Sequence, residues 1–373
     1  MASSVKYVGT FTDYSGYGQA NRNFIASLFI SRVAITTELV VQVNEKGNFG
    51  WVGQLANSLK NRSIPYKIKI IHLTPDMYPR YMENGKYHIG HLFWETDRLP
   101  AEWVEPCNKM NEIWTASEEQ AEMIKKSGVS VPIKWFPQPI DTSLSSSTAS
   151  SYVIPSFSGF VFYSIFQWIE RKNPMALLKT YWKTFQGKSD VILLLKTYRV
   201  NYSPAEFNSI QDDINQWKKE LSLEHYPRVF LIDKLMDANG MSKLHATGDC
   251  YINTSRGEGW CIPAVEAMMS GNPVIGVNKT GFADYLPKDT YFPCSSYPSK
   301  VTQVSWIPWY TPDQKWLEIS EKDLIDKMAE AYNNRSKTKQ IGKTAQQFVV
   351  DNFNYWTVGQ AMKERLEAIE RFV

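Results

Sequence analysis

Short apolar runs of strand length alternate with runs of helical period along this chain, and they do so twice. Strands are expected at residues 5–11, 39–43, 66–72, 88–93, 112–115 and 133–136, with helices at 19–30, 51–59 and 118–127. The alternation restarts after residue 158. Strands follow at 160–166, 191–197, 229–232, 249–254 and 273–277, and helices at 174–185, 204–221, 238–247 and 263–270. Strands that return through helices run parallel and need cover on both faces, so each half predicts a doubly wound α/β domain. Between the halves, residues 141–158 hold eight serines in eighteen positions, the composition of a linker. Two such domains place a ligand cleft between them. The domains are expected at 1–150 and 151–350, and an amphipathic helix closes the chain at 359–372.

Several function classes recede at once. A formal net charge of +3 gives little support to a nucleic-acid groove. The four cysteines, Cys107, Cys250, Cys261 and Cys294, form no Cys-x-x-Cys pair and no disulfide framework, so a reducing, cytoplasmic setting is expected. The opening residues lack a basic-then-apolar pattern, so no signal peptide is expected, and no apolar run is long enough to suggest a membrane span. His88 and His91, three apart on a strand, point to opposite faces and cannot share a metal. No two aspartates sit two apart, so the pair that often carries a metal-bound diphosphate is missing; no metal and no cofactor are expected. The thirteen tryptophans are read first as core, and second as rings stacking on a sugar or base.

The most informative stretch is Ser255 to Asn278, SRGEGWCIPAVEAMMSGNPVIGVN. An apolar strand ends just before it. Gly257 and Gly259 let the backbone approach a ligand, Pro263 suits the first helical position, and Gly271 suits the residue past the helix end. A loop thus feeds a helix N-terminus beside the end of a strand, where free amides favour an anion. Glu266 is placed in the first turn of this helix, where an acid can simply complement the dipole. That does not account for Glu258 in the glycine loop with Arg256 beside it. Two carboxylates beside a phosphate site suit the hydroxyls of a sugar and a ribose, which donate hydrogen bonds that carboxylates accept.

Glu258 and Glu266 resemble the Glu-x(7)-Glu motif of the retaining glycosyltransferases of family 4, which have the GT-B fold of two Rossmann-like domains. The similarity extends through RGEG, PAVEAM and GNPVIGVNKTGFADYL. It implies that Glu266 binds the ribose of a nucleotide-sugar donor and Glu258 its sugar, with Gly281, Phe282 and Ala283 near the sugar or phosphate. The segment FVFYSIFQWIERKNPMALLKTY resembles the part of the family that holds the donor diphosphate between an arginine and a lysine. Lys172 matches the lysine; Gln167 stands where the arginine is usual, and Arg171 is the substitute cation. IGHLFWETDRLPAEW, NEIWTASEEQAEMIKKSG and TDYSGYGQANR resemble the acceptor domain of one branch. The resemblance implies an acceptor-binding first domain, a donor-binding second domain, and a terminal segment, 351–373, that crosses back to the first. It also implies retention of configuration, with the donor phosphate helping to deprotonate the acceptor.

At the strand ends of the first domain, His72, Asp76, His91, Glu95 and Asp97 are polar candidates; Glu95 is the first choice for touching the transferred sugar and His91 the next. Gly16, Tyr17 and Gly18 form a loop for a phosphate or acceptor. The same loop offers a rival reading, an NAD(P)-dependent oxidoreductase. Its third glycine position is occupied by Asn21, and Glu38 precedes the strand expected at 39–43 rather than ending it. A second rival is a GT-B protein that binds a nucleotide sugar without turnover. The expected acceptors are a glycan, a lipid-linked sugar at a membrane surface, a protein, or a modified nucleobase in DNA.

Overall fold

The computed structural model describes residues 3–41, 49–142, 154, 157–279, 281–302 and 307–373. They fall into two compact units, Met1–Ser143 with Val350–Val373, and Leu144–Val349. Most of the serine-rich stretch at 141–158 lies outside the described residues.

In the first unit six parallel strands form one sheet: β1 (Ser4–Gly9), β2 (Ala34–Leu39), β3 (Ile68–His72), β4 (Tyr87–His91), β5 (Glu112–Thr115) and β6 (Ile133–Trp135). Their order is β2-β1-β3-β4-β5-β6. The connecting helices are α1 (Gly16–Ile30), α2 (Gly50–Ser58), α3 (Tyr78–Tyr81), α4 (Ala101–Asn108) and α5 (Glu118–Lys126). The second strand lies earlier than residues 39–43. The β-branched run Ile35-Thr36-Thr37 fits the pleat better than the apolar residues after it, and all three are buried.

The second unit holds another parallel sheet: β7 (Phe160–Gln167), β8 (Val191–Tyr198), β9 (Arg228–Ile232), β10 (Cys250–Asn253), β11 (Val274–Val277) and β12 (Phe292–Cys294). Its order is β12-β11-β10-β7-β8-β9. An antiparallel hairpin, β13 (Ser296–Lys300) and β14 (Lys315–Ile319), follows. The helices are α6 (Pro174–Thr184), α7 (Pro204–Leu221), α8 (Ala238–Thr247), α9 (Ile262–Met269), α10 (Glu321–Asn333) and α11 (Arg335–Asn352). The core of this unit is aromatic: Phe160, Phe162, Tyr181, Trp182 and Phe185 pack with Leu193. Trp103, Trp114, Trp182 and Trp316 are all fully buried, so these four tryptophans serve packing.

The last helix, α12 (Tyr355–Glu370), begins earlier than residue 359 and packs against α1 within the first unit. Ser27 Oγ donates to the Tyr355 carbonyl at 2.6 Å, and Tyr355 Oη donates to Asn23 Oδ1 at 2.9 Å. Arg365 Nε reaches both carboxylate oxygens of the fully buried Glu112, at 3.0 and 3.1 Å. A buried carboxylate without that partner would be costly, so Arg365 ties the end of the chain to β5.

Candidate active site

The strand order of the second unit determines where its site lies. Chain order runs β7, β8, β9 to one side and then β10, β11, β12 to the other, so the connections part company between β7 and β10. Loops leaving the carboxyl ends of two such strands diverge and leave a crevice, the place where open α/β sheets bind ligands. The loop after β7 carries Arg171 and Lys172; the loop after β10 carries Gly257, Glu258 and Gly259. Backbone bonds tie the two loops together. Arg256 N–H donates to the Arg171 carbonyl at 2.7 Å, and Thr254 Oγ1 donates to the Lys172 and Asn173 carbonyls at 3.1 and 3.2 Å.

The centre of this crevice is a trio of charges. Lys172 Nζ donates to Glu258 Oε1 at 2.5 Å, and Arg171 Nη1 lies 3.4 Å from Glu258 Oε2 while also donating to the Gly257 carbonyl at 2.6 Å. Arg171 and Lys172 sit in a 3-10 turn, Glu170–Lys172, ahead of α6, so neither is a solvated helix start. Glu258 is only 7% exposed. Burial pushes its carboxyl up, but Lys172 and Arg171 outweigh burial and hold it below the usual carboxylate range. An arrangement that desolvates three charges is poor value for stability compared with apolar packing. Such a cluster in a ligand crevice points to chemistry. It also keeps one surplus positive charge facing the glycine loop.

Gly281 closes on the same loop. Its φ is +60°, and a Cβ there would lie 2.8 Å from the Trp260 carbonyl oxygen and 3.3 Å from Glu258 Cβ, so only glycine fits. The Phe282 and Ala283 side chains are buried; Phe282 contributes its amide, which donates to the Trp260 carbonyl at 3.2 Å. Gln167 ends β7 and donates through Nε2 to the Arg199 carbonyl, which turns it toward β8. Glu266 is not in the first turn of its helix. The helix starts at Ile262, Pro263 is its second residue, and Glu266 is the fifth. A dipole complement is therefore a weaker explanation for it than its sequence position implied.

Arg256 is drawn away from Glu258. Its Nε reaches Glu318 Oε2 at 2.5 Å and its Nη1 reaches Glu170. It braces β14 against the turn that carries Lys172, a role invisible in sequence because Glu318 lies sixty-two residues away. A hollow of about 200 Å³ beside it is lined by Lys179, Lys183 and Arg256, but each cation already faces a carboxylate, of Glu220, Glu321 and Glu318. Arg256→Ala is expected to cost about 1.5–3 kcal/mol of stability, a bond-to-charge magnitude. Nucleoside diphosphate affinity should stay within about twofold. Thermal denaturation and calorimetric titration check this; an unchanged melting temperature with lost affinity would return Arg256 to the donor site.

In the first unit the loop after β1 and the loops after β3 and β4 share one end of the sheet, on either side of the β1/β3 divergence. Tyr17 Oη donates to the Phe93 carbonyl at 3.2 Å. Burial raises its phenol pKa strongly, and Glu95 and Asp76 add to that, so these acids lie nearby. Ser15 caps α1 by accepting from Gly18 N, three residues on. Trp94 Nε1, bonded to Thr96 Oγ1 at 2.7 Å and the Arg98 carbonyl at 2.9 Å, shapes the turn that presents half-buried Glu95. His91 is different. It is fully buried, stacked on His72 at 4.1 Å and edged by Phe24, and burial drives its pKa down to about 3. Of the two candidates Glu95 is therefore the more accessible one. His88 accepts from Glu83 N–H at 2.8 Å, a satisfied structural contact.

A scan against protein-family models and a search of curated proteins find no match to this sequence. Solved structures match its architecture. Sucrose-phosphate synthase from Thermosynechococcus elongatus aligns with a TM-score of 0.69 and 10% identity over 100% of both chains. A glycosyltransferase from Rickettsia africae aligns at 0.67 and 11% identity, again over 100% of both chains. S. aureus TarM, in a complex that includes α-GlcNAc-glycerol and UDP, aligns at 0.56 and 15% identity over 80% of this chain and 55% of TarM. The fold is GT-B.

A GT-B fold does not favour the oxidoreductase reading, and local geometry agrees. Glu38 does lie near the end of its strand, contrary to the sequence expectation, but its carboxylate pairs with Lys6 at 2.8 Å and Lys69 at 3.6 Å. Asn21 fills the place of the third glycine, its side chain pressed onto Gly9. The sequence reading missed His245, Tyr163 and Asn272, which meet below Glu266. A histidine in the last turn of α8 reads as an ordinary dipole complement, and only the fold brings it to α9.

Proposed function

We infer that this chain is a retaining glycosyltransferase of the family 4 kind, moving a hexosyl or pentosyl group from a nucleotide-diphosphate sugar to a hydroxyl acceptor. The observation that carries the reading is the Arg171–Lys172–Glu258 cluster at the strand divergence of a GT-B second unit. Lys172 and Arg171, with the loop amides near Gly257 and Gly259, stabilise charge on the departing diphosphate, the electrostatic term that dominates such reactions. Glu266 takes the ribose hydroxyls and Glu258 a hydroxyl of the sugar. Glu258 also orients Lys172, so the ammonium keeps donors to spare for phosphate oxygen. UDP in the TarM complex supports a nucleoside diphosphate as the leaving group. The first unit holds the acceptor, with Glu95 and the Gly16–Tyr17–Gly18 loop at its rim. A glycan, a lipid-linked sugar, a protein or a modified nucleobase in DNA all offer the required hydroxyl. Four free, buried thiols fit a cytoplasmic setting, and among the described residues no helix is long and apolar enough to cross a membrane.

Thermal-shift titration with UDP-, GDP- and ADP-sugars identifies the donor, since a ligand of the native state raises its melting temperature. The stabilising sugar should then be hydrolysed slowly, releasing free nucleoside diphosphate. Turnover should be unchanged in excess EDTA, because side-chain cations do the work of a metal. Binding without release favours an inactive binding protein. Loss of turnover in EDTA that magnesium or manganese restores overturns the assignment of diphosphate charge to Lys172 and Arg171.

A further inference from the structure

Beneath Glu266 lies a buried hydrogen-bond chain whose proton positions follow from its ends. Asn272 Nδ2 donates to the His245 carbonyl at 2.7 Å. A carbonyl only accepts, so the amide orientation is settled, and the same NH2 donates to Tyr163 Oη at 3.0 Å. Tyr163 Oη lies 2.9 Å from His245 Nδ1. Having accepted from Asn272, the phenol places its own proton toward Nδ1; the alternative leaves a fully buried O–H without an acceptor. His245 Nδ1 is therefore an acceptor and its proton sits on Nε2. That N–H has no hydrogen-bond partner, is buried, and faces Glu266 Oε2 across 3.6 Å. The gap is just beyond hydrogen-bond length.

We propose that His245 is a positioning residue. Its Nε2–H orients the Glu266 carboxylate for the donor ribose, and Asn272 acting through Tyr163 holds the imidazole in the required tautomer. The proposal rests on the reading of Glu266 as the ribose ligand. A carboxylate with one oxygen held from below presents the other, and its remaining lone pairs, to adjacent ribose hydroxyls. An orphaned buried donor is otherwise a standing cost, and a carboxylate that turns onto it when the donor binds removes that cost.

The test uses the intact chain titrated with UDP, GDP and ADP, alone and in the Glu266→Gln background. His245→Asn keeps an acceptor near Nδ1 for Tyr163 but has no atom at Nε2. It should weaken the nucleotide that binds by about fivefold or more, and raise donor KM more than it lowers kcat. His245→Gln, which sets an amide near Nε2, should recover most of the affinity. In the Glu266→Gln background His245→Asn should have no further effect. An equal effect in both backgrounds overturns the proposal, because a merely structural histidine acts without regard to Glu266. If Glu266→Gln weakens the nucleotide but His245→Asn does not, the positioning role fails alone. If Glu266→Gln changes nothing, the ribose reading fails and takes this proposal with it. Should His245→Asn not fold, Tyr163→Phe carries the test: severalfold weaker binding that vanishes in the Glu266→Gln background is expected, and unaltered affinity overturns the proposal.

Discussion

Lys172→Ala is expected to lower kcat by about a hundredfold or more while leaving the protein folded, the magnitude seen when one preorganised charge-stabilising donor is removed. The loss should appear in kcat rather than in donor KM, because charge on the diphosphate grows as the glycosidic bond breaks. The structure adds a second consequence. Lys172 is the nearer of the two cations holding Glu258. In its absence burial, which pushes that carboxyl up, is opposed by Arg171 and the Ser255 hydroxyl. A carboxyl held below its unfolded value near 4.5 adds stability above that pH, and loses it as the pH falls through the lower folded value. The variant should therefore be less stable than the parent near pH 7 and lose less stability as the pH falls below about 4.5. Single-turnover kinetics near pH 7 and acid unfolding followed by circular dichroism check the two halves. A folded variant with near-normal kcat sinks the assignment of Lys172 to the diphosphate.

The two glutamates should separate cleanly. Glu266→Gln keeps the shape of the side chain but loses its charge, leaving one carbonyl oxygen to accept from two ribose hydroxyls. Charge-assisted bonds are worth about 1.5–3 kcal/mol each when desolvated, so free nucleoside diphosphate should bind roughly tenfold more weakly or worse. Glu258→Gln should do the reverse. It removes the anion that neutralises Arg171 and Lys172, so affinity for the free nucleoside diphosphate is retained or raised. Turnover of the intact donor should fall, because the sugar loses its carboxylate and Lys172 loses its orientation. A helix-dipole role for Glu266 predicts a loss of only about 0.3–1 kcal/mol in fold stability and no change in nucleotide affinity. Its place in the second turn already disfavours that account. Calorimetric titration of both variants decides; if they behave alike, or if only Glu258→Gln weakens the free nucleotide, the ribose and sugar roles assigned here are wrong.

Much of the fold was legible in residue order, because parallel strands buried on both faces are almost continuously apolar and their helices keep a 3.6-residue period. The strands at 112–115 and 191–198 and the helices at 204–221 and 238–247 announce themselves in that way. Helices α10 and α11 do not. Their buried faces are built partly from Ala331, Thr338, Gly342 and Ala345, small side chains that carry almost no hydrophobic signal. The hairpin β13–β14 is largely exposed on one strand and reads as loop. Within the candidate site, local spacing marked Glu258 and Glu266, since a glycine loop entering a helix is contiguous in sequence, while Lys172 and Gly281 were marked by the family resemblance. What spacing could not supply was which charges meet. Arg256 is next but one to Glu258 yet pairs with Glu318 and Glu170, while Glu258 pairs with residues eighty-six and eighty-seven positions earlier. His91 sits on the strand end where a ligand contact is expected, yet the aromatic packing around it closes it off. His245, Tyr163 and Asn272 come from a helix, a strand and a loop that only the sheet brings together. Hydrophobic periodicity and turn chemistry act over a few residues and so can be read along the chain. Electrostatic pairing and burial act through space, and the order of the strands is what places their partners within reach.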